Sequence, residues 1–384
     1  MKILQVLDTF YPDVDGPIDV VVNLAREFNK EKLGEMEILV PSYPEKVEVE
    51  GITIHRCFSL SVNEYRAGAP ALDKKVKKLI KNGGFDLIHL HSPFTLGRYA
   101  LKLARRYNIP VLYTMHTKFK DEFEKRLKSK LLRKFMMRYI MKCINGCENL
   151  TSVSRGTIQT LKEYGYKYCE NVKVIRNATA MPVNGADEEI VKKIKAELGI
   201  EHTFTFLFVG RLAATKNVQF SIEALAEVKS RGFNNFKFVL VGDGDYGKAL
   251  KKLTKELNLT ENVIFAGKVT DKKLLACYYS ACDALLFPSV FDNASLVILE
   301  AAVNGLPVIT LKDSCSAEYI EDGIYGFTWE NDKKVWADNI IKLLQSPQPR
   351  VEDWESGLPE YASWGNVAGE YARLYKELLS ARKK

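Results

Sequence analysis

Glu300 stands between Leu296-Val297-Ile298-Leu299 and Ala301-Ala302-Val303, a run apolar enough to be buried on every face. A carboxylate taken out of water is costly unless hydrogen bonds or cations replace its hydration, so something must meet it. Upstream, Gly210-Arg211-Leu212 and Lys216 follow a very apolar strand pattern. Arg offers a fork for phosphate oxygens and Lys a point charge; the pair suits a diphosphate, and alone fits a capped loop with solvated charges equally well. "PSVFDNAS" then leads into the apolar run, so Asp292 or Asn293 can cap that helix, whose free N–H groups form an anion site.

"VGDGDYG", residues 241–247, contains a Gly-x-Gly-x-x-Gly between a strand and a helix. As a dinucleotide fingerprint it is weak. The acid expected ~20 residues later finds only Glu261, which precedes the strand "NVIFAG" instead of ending one. A tight turn beside a ligand is the plainer account, and Asp243 and Asp245 fit a solvated turn as well as a metal. His116 ends the strand pattern "PVLYTMH", while His89 and His91, two residues apart on one face, read as wall of the ligand cleft and are too few for a metal. The seven cysteines form no disulfide pattern, and Cys143 with Cys147 lacks the second pair a zinc site requires.

These residues need a frame. A chain of 384 residues with 46% hydrophobic and 27% charged residues is expected to fold as two globular domains. Short β-rich runs alternate with helical patterns throughout, the mark of parallel sheets flanked by helices. "TAMPVNGADEE" reads as a linker. The expected architecture is α/β, with one doubly wound domain over 1–180 and a second over 181–360, their strand ends facing across a cleft. The amphipathic helix at 361–384 either packs on its own domain or crosses back to the first. No apolar run reaches the ~20 residues of a spanning helix and no signal-peptide pattern opens the chain, so a cytoplasmic location is expected.

In order, Gly210-Arg211-Leu212 with Lys216, "VGDG", "FAGKV" and "LLFPSVFDNASLVILEAAVNGLPVI" resemble the C-terminal motifs of the large retaining family of nucleotide-sugar glycosyltransferases with the two-Rossmann GT-B fold, often called family 4. The first half is similar more loosely, through "YPDVDGPIDVVVNLA", "DLIHLHSP", "HTKF", "SVSRGT" and "IRNAT". The resemblance implies that Glu300, the second Glu of a Glu-x7-Glu motif, bonds the donor ribose hydroxyls; the rival account is a Glu satisfied by protein backbone. Arg211 and Lys216 match positions that neutralise the donor diphosphate as the sugar leaves, which can replace a metal; no cofactor beyond the nucleotide diphosphosugar is implied. Asp292 falls where the first Glu is usual, at the transferred sugar, and "DNAS" replaces the usual "EGFG", so Asn293, Ala294 and Ser295 lack glycine's freedom. Gly210, Asp243, Val269, Leu296 and Val297 complete the implied donor site. His116 matches a histidine facing the donor sugar near its reacting carbon. Gly16 fits a loop that approaches the donor phosphates, with Pro17 at a helix's first position.

The net charge of +8 is uneven: residues 1–180 hold 31 Lys and Arg against 20 Asp and Glu. Residues 118–142 carry ten basic and three acidic residues, interleaved with Phe119, Phe123, Leu127, Leu131, Phe135 and Tyr139 at four-residue steps. Such a basic amphipathic helix suits anionic lipid headgroups, helped by "KKVKKLIK" at 74–81; the rival is a helix packed on the sheet with solvated lysines. No nucleic-acid motif accompanies the charge. The expected activity is retaining transfer of a hexose from a nucleotide diphosphosugar, a UDP-sugar favoured, by leaving-group-assisted attack on the same face. The acceptor is a membrane lipid or lipid-linked saccharide, and "HTKFKDEFE" with the basic helices resembles the bacterial diacylglycerol glucosyltransferase branch. That places the protein in the cytoplasm or peripherally on the inner face of the cell membrane. A soluble acceptor, a nucleotide-sugar 2-epimerase and a non-catalytic sugar-nucleotide binder are the alternatives.

Overall fold

Near-continuous apolar runs form strands that are covered on both faces, and amphipathic segments between them supply the covering helices. The computed structural model describes all residues except 14–15, 63–64, 183–184, 291, 293–294, 348–349, 352–362 and 383–384, and only the backbone of 62, 65, 125 and 126. The chain divides into two units, Met1–Ala178 with Ser363–Lys384, and Thr179–Ala362.

The first unit begins with β1 (Lys2–Val6), α1 (Gly16–Lys30), β2 (Glu35–Pro41) and β3 (Ile54–Cys57). A hairpin of β4 (Ser59–Val62) and β5 (Tyr65–Gly68) follows, then α2 (Lys74–Asn82), β6 (Leu87–Leu90), α3 (Thr95–Tyr107) and β7 (Val111–Met115). Next come α4 (Phe119–Arg126), α5 (Lys130–Ile144), β8 (Asn149–Ser152), α6 (Arg155–Glu163) and β9 (Lys173–Val174). Seven of these strands form a parallel sheet in the order β3-β2-β1-β6-β7-β8-β9, so the winding reverses between β1 and β6.

The second unit contains α7 (Glu188–Leu198), β10 (Phe204–Val209), α8 (Val218–Ser230), β11 (Phe236–Val241), α9 (Gly247–Glu256) and β12 (Val263–Gly267). It continues with α10 (Lys272–Ala281), β13 (Ala284–Phe287), α11 (Leu296–Ala302), β14 (Val308–Leu311), β15 (Gly326–Trp329) and α12 (Lys333–Gln345). Its parallel sheet runs β12-β11-β10-β13-β14-β15 and reverses between β10 and β13. The last helix, α13 (Trp364–Ala381), belongs to the first unit: Val367, Tyr371 and Tyr375 pack with Val21, Leu24 and Phe28 of α1. The opposite face of that sheet is covered by Val76 and Ile80 of α2, Ala100 of α3 and Ile140 of α5.

Two expected elements differ. The basic helix over 118–142 is two helices. Ser129, extended at φ −81° and ψ 121°, starts α5 by accepting from Leu132 N at 3.4 Å, after α4 has closed with Leu127 N on Phe123 O. Its apolar stripe divides accordingly: Phe119 and Phe123 are buried in the core, whereas Leu131 is 81% and Phe135 62% exposed. The helix after "PSVFDNAS" has Ser295 at its cap with no side-chain bond, and Asp292 does not cap it. Asp292 gives its carboxylate to Lys216 instead, and Asn293 and Ala294 lie outside the described residues.

Candidate active site

In an open parallel sheet, ligands bind beyond the carboxyl ends of the strands where the winding reverses. In the second unit this point lies beyond β10 and β13, and the loops that leave those strands carry Gly210, Arg211, Lys216 and Asp292.

Lys216 Nζ stands 2.6 Å from Asp292 Oδ1 and 5.7 Å from the centroid of Phe287. Asp292 Oδ2 is buried and meets no partner among the described residues. Asn217, left-handed at φ 56°, turns the chain from the short helical turn at 214–216 into α8, and its Nδ2 donates to Pro288 O at 3.2 Å. That bond ties the loop that carries the lysine to the loop that carries the aspartate. Arg211 is exposed and has no ion pair among the described residues. Cation and carboxylate therefore meet where the loops after β10 and β13 face each other, and Arg211 stands on the same loop as Lys216.

The Gly-x-Gly-x-x-Gly loop has a packing explanation. A Cβ on Gly242 would lie 1.9 Å from Gly210 O, and one on Gly244 2.4 Å from Leu212 O. Leu212 N donates to Asp243 O at 2.9 Å and Tyr246 N to Leu212 O at 3.0 Å, so the two strand-end loops lie backbone to backbone. The glycines permit that approach, and Gly242 adopts φ 151°, which other residues rarely do. Asp243 Oδ1 accepts from Gly244 N at 2.8 Å, holding its own turn. A cavity of about 440 Å³ opens beside this loop, between Leu212, Lys248 and Phe265. Val269 lies partly buried against the core.

Glu300, on α11, is 4% exposed, and the partners it needs are side chains. Lys272 Nζ lies 2.6 Å from Oε1, and Tyr279 OH donates to Oε2 at 2.9 Å. Burial and the neighbouring carboxylate push the Tyr279 phenol well above its ordinary pKa, so it keeps its proton and remains a donor. Leu296 and Val297 pack partly buried on the first turn of the same helix and Ser295 is buried at its start.

In the first unit, Gly16 is exposed and opens α1, with nothing within 4 Å of the position its Cβ would take. His116 follows β7 and His91 follows the adjacent β6, and His91 Nδ1 is 2.9 Å from His116 Nε2. His89 is not wall, since its side chain is fully buried, with Nδ1 2.7 Å from Tyr375 OH and Nε2 2.6 Å from Thr114 Oγ1. Its place on β6 faces the sheet interior, where α13 covers it. Burial drives His89 and His91 well below the ordinary histidine pKa and His116 down to about 4, so all three are neutral at pH 7. Nothing in the sequence pointed to Lys272, Tyr279 or the His91–His116 contact. Among the described residues no three His, Cys, Asp or Glu side chains group as a metal site.

Comparison with known proteins bears on both units. The family model "Glycosyltransferase Family 4" matches residues 14–180 and the model "Glycosyl transferases group 1" matches residues 190–357. An alpha-monoglucosyldiacylglycerol synthase of Streptococcus pneumoniae is 26% identical over 90% of this chain and 79% of its own. One from Acholeplasma laidlawii is 25% identical over 91% and 89%. The crystal structure of Anabaena HepE with UDP and glucose superposes with a TM-score of 0.77 at 20% identity, over 98% of this chain and 99% of that one.

Proposed function

The chain belongs to the GT-B glycosyltransferases, and from that premise we propose that it transfers a hexose from a UDP-sugar, with retention at the anomeric carbon, to a membrane lipid or a lipid-linked saccharide. The observation that carries the donor half is the Lys216–Asp292 pair at the winding reversal of the second unit, with Arg211 on the same loop as Lys216 and without an ion pair among the described residues. Breaking the bond between the sugar's anomeric carbon and the diphosphate oxygen leaves charge on the diphosphate. Preformed cations stabilise that charge most in the transition state. Lys216, already ordered by Asp292, shifts its bond to the leaving oxygens with Arg211, and the carboxylate turns to hydroxyls of the sugar. The acceptor oxygen forms its bond to the same face of the anomeric carbon while its proton passes to the departing diphosphate. The reading asks for no cofactor. The ribose hydroxyls are assigned to Glu300, and Gly210, Asp243, Val269, residues 293–297, Gly16 and His116 are proposed as further contacts of the donor.

The acceptor half rests on the surface of the first unit. On α5, Leu131, Phe135, Arg138 and Lys142 recur at helical spacing and all four are exposed, as are Lys130 and Lys134. Across α3, which packs on both α2 and α5, the hairpin region exposes Phe58 and Leu60, Leu72 is 73% exposed, and α2 exposes Lys74, Lys75, Lys77, Lys78 and Lys81. Apolar side chains among lysines suit an anionic bilayer, the former entering the headgroup boundary and each lysine near the surface adding ~1 kcal/mol. None of the helices among the described residues is long and apolar enough to cross a membrane. Two relatives named as synthases of a glucosylated diacylglycerol support the choice of lipid.

Thermal shift against UDP-, GDP- and ADP-sugars, followed by product analysis with and without anionic vesicles containing diacylglycerol, tests both halves. Stabilisation by a UDP-sugar together with a vesicle-dependent glycolipid is expected. Stabilisation without lipid product redirects the acceptor to soluble molecules, an epimer without acceptor marks an epimerase, and no response to any nucleotide removes the donor assignment.

A further inference from the structure

We infer that His91 is a positioning residue that sets the tautomer of His116, donating from its Nδ1 to Nε2 of His116 so that His116 carries its own proton on Nδ1. The functional consequence rests on the proposal that His116 faces the donor sugar; the tautomer itself does not.

The two rings end adjacent parallel strands, lie 24° apart in plane, and meet through Nδ1 of one and Nε2 of the other. Both are neutral at pH 7, so each ring has one N–H and one lone pair, and the contact has only two assignments. The other nitrogen of His91 decides between them. His91 is 3% exposed, and its Nε2 meets no hydrogen-bond partner among the described residues. Were His116 the donor, His91 would carry its proton on Nε2, an orphaned N–H in the interior. With His91 as donor, Nε2 holds only a lone pair. Buried orphan N–H groups are rarer than under-satisfied acceptors, which favours the second assignment. His89 cannot relieve Nε2. Its ring lies against His91 at 4.0 Å, and both its nitrogens are taken by Tyr375 and Thr114.

The arrangement has a chemical rationale. Glycosyl transfer develops positive charge at the anomeric carbon. A charged imidazolium facing that carbon would oppose it, whereas a neutral ring can hydrogen-bond the sugar without that repulsion. With Nε2 already accepting from His91, the ring has a single N–H, on Nδ1, and its direction is fixed by the neighbouring strand.

The test is a long-range proton–nitrogen correlation spectrum of the full-length chain labelled with nitrogen-15 histidine, the His116 signals being identified by their loss in His116→Gln. A protonated Nδ1 and an unprotonated Nε2 on His116 are expected; the reverse overturns the inference. His91→Asn, which keeps a donor near the place of Nδ1, is expected to preserve that tautomer and a kcat within about threefold of wild type, whereas His91→Leu lowers kcat at least about tenfold with the KM for the donor little changed. A His91→Leu protein with unchanged kcat and an unchanged His116 spectrum overturns the inference; should that variant not fold, the wild-type and His91→Asn spectra still decide. Full activity in His116→Gln would remove the role of His116 at the sugar and leave the tautomer standing, so the two failures are distinct.

Discussion

Lys272 and Glu300 form an ion pair in which Nζ lies 2.6 Å from a carboxylate oxygen that is itself buried. The lysine is partly exposed while the glutamate is not, so the pair runs from solvent into the apolar helix. Glu300→Ala removes the proposed ribose acceptor and leaves the buried Tyr279 hydroxyl unpaired. Hydrogen bonds to charged groups contribute about 1.5–3 kcal/mol, so UDP affinity is expected to fall roughly tenfold to hundredfold by calorimetry. Unchanged affinity would remove Glu300 from the nucleotide site.

Lys216→Ala leaves Asp292 without its cation and the leaving diphosphate without one of its two proposed counter-charges. Turnover is expected to fall about 10²–10³-fold, with a smaller effect on donor binding. Because Lys216 and Asp292 touch, the double variant with Asp292→Ala should lose less than the sum of the single losses. Near-normal kinetics in Lys216→Ala, or strict additivity, would count against their acting together.

Acid should weaken the first unit through its histidines. His89 is held neutral in the fold with its pKa well below ordinary, so between about pH 6.5 and its folded value only the unfolded chain takes up the proton. The stability it confers is complete above pH 6.5 and declines as pH falls, by up to ~1.4 kcal/mol per pH unit for each such histidine. Buried Asp8, whose pKa is raised by burial, works in the opposite sense, so the comparison is with His89→Gln. Urea unfolding from pH 7.5 to 5 should show a shallower decline in that variant; parallel curves would refute the assignment.

Membrane docking predicts separation of binding from stability. Leu131, Leu132 and Phe135 are exposed, so replacing all three by Ser should leave the melting temperature nearly unchanged. Sedimentation with anionic vesicles should fall at least about tenfold, as expected when three apolar side chains no longer enter the interface. Equal binding by the triple variant would confine docking to the lysines or exclude this surface.

Gly242→Ala tests the loop packing. Its Cβ would sit 1.9 Å from Gly210 O at a backbone φ of 151°, so several kcal/mol of destabilisation and loss of nucleotide-induced stabilisation are expected. A variant with wild-type stability would mean the two loops can separate.

Much of this organisation was legible because parallel strands covered on both faces read as continuous apolar runs, as in β10 and β11. The edge strands β3 and β15 are only four residues long and harder to read, since Ile54-His55-Arg56-Cys57 carries no such run. That Glu300 needed a partner followed from one helix's sequence. That the partners are Lys272 and Tyr279 did not, since they are 28 and 21 residues away and are brought there by packing of α10 against α11. His89 and His91 were placed on one face correctly, but what covers that face is decided by Tyr375, 286 residues from His89. The stripe from Phe119 to Tyr139 kept its helical period while Ser129 broke the helix, because a capping residue interrupts hydrogen bonds without disturbing the spacing of apolar side chains.

The return of α13 to the first unit has a consequence for synthesis. A nascent chain emerges in order, so all of the second unit leaves the ribosome before Tyr371 and Tyr375 can close the core begun by α1. Domains tend to fold as they are made, and here the first to begin is the last to finish. Until then Val21, Leu24 and Phe28 lack the cover that α13 gives them, beside a His89 that lacks one of its two bonds.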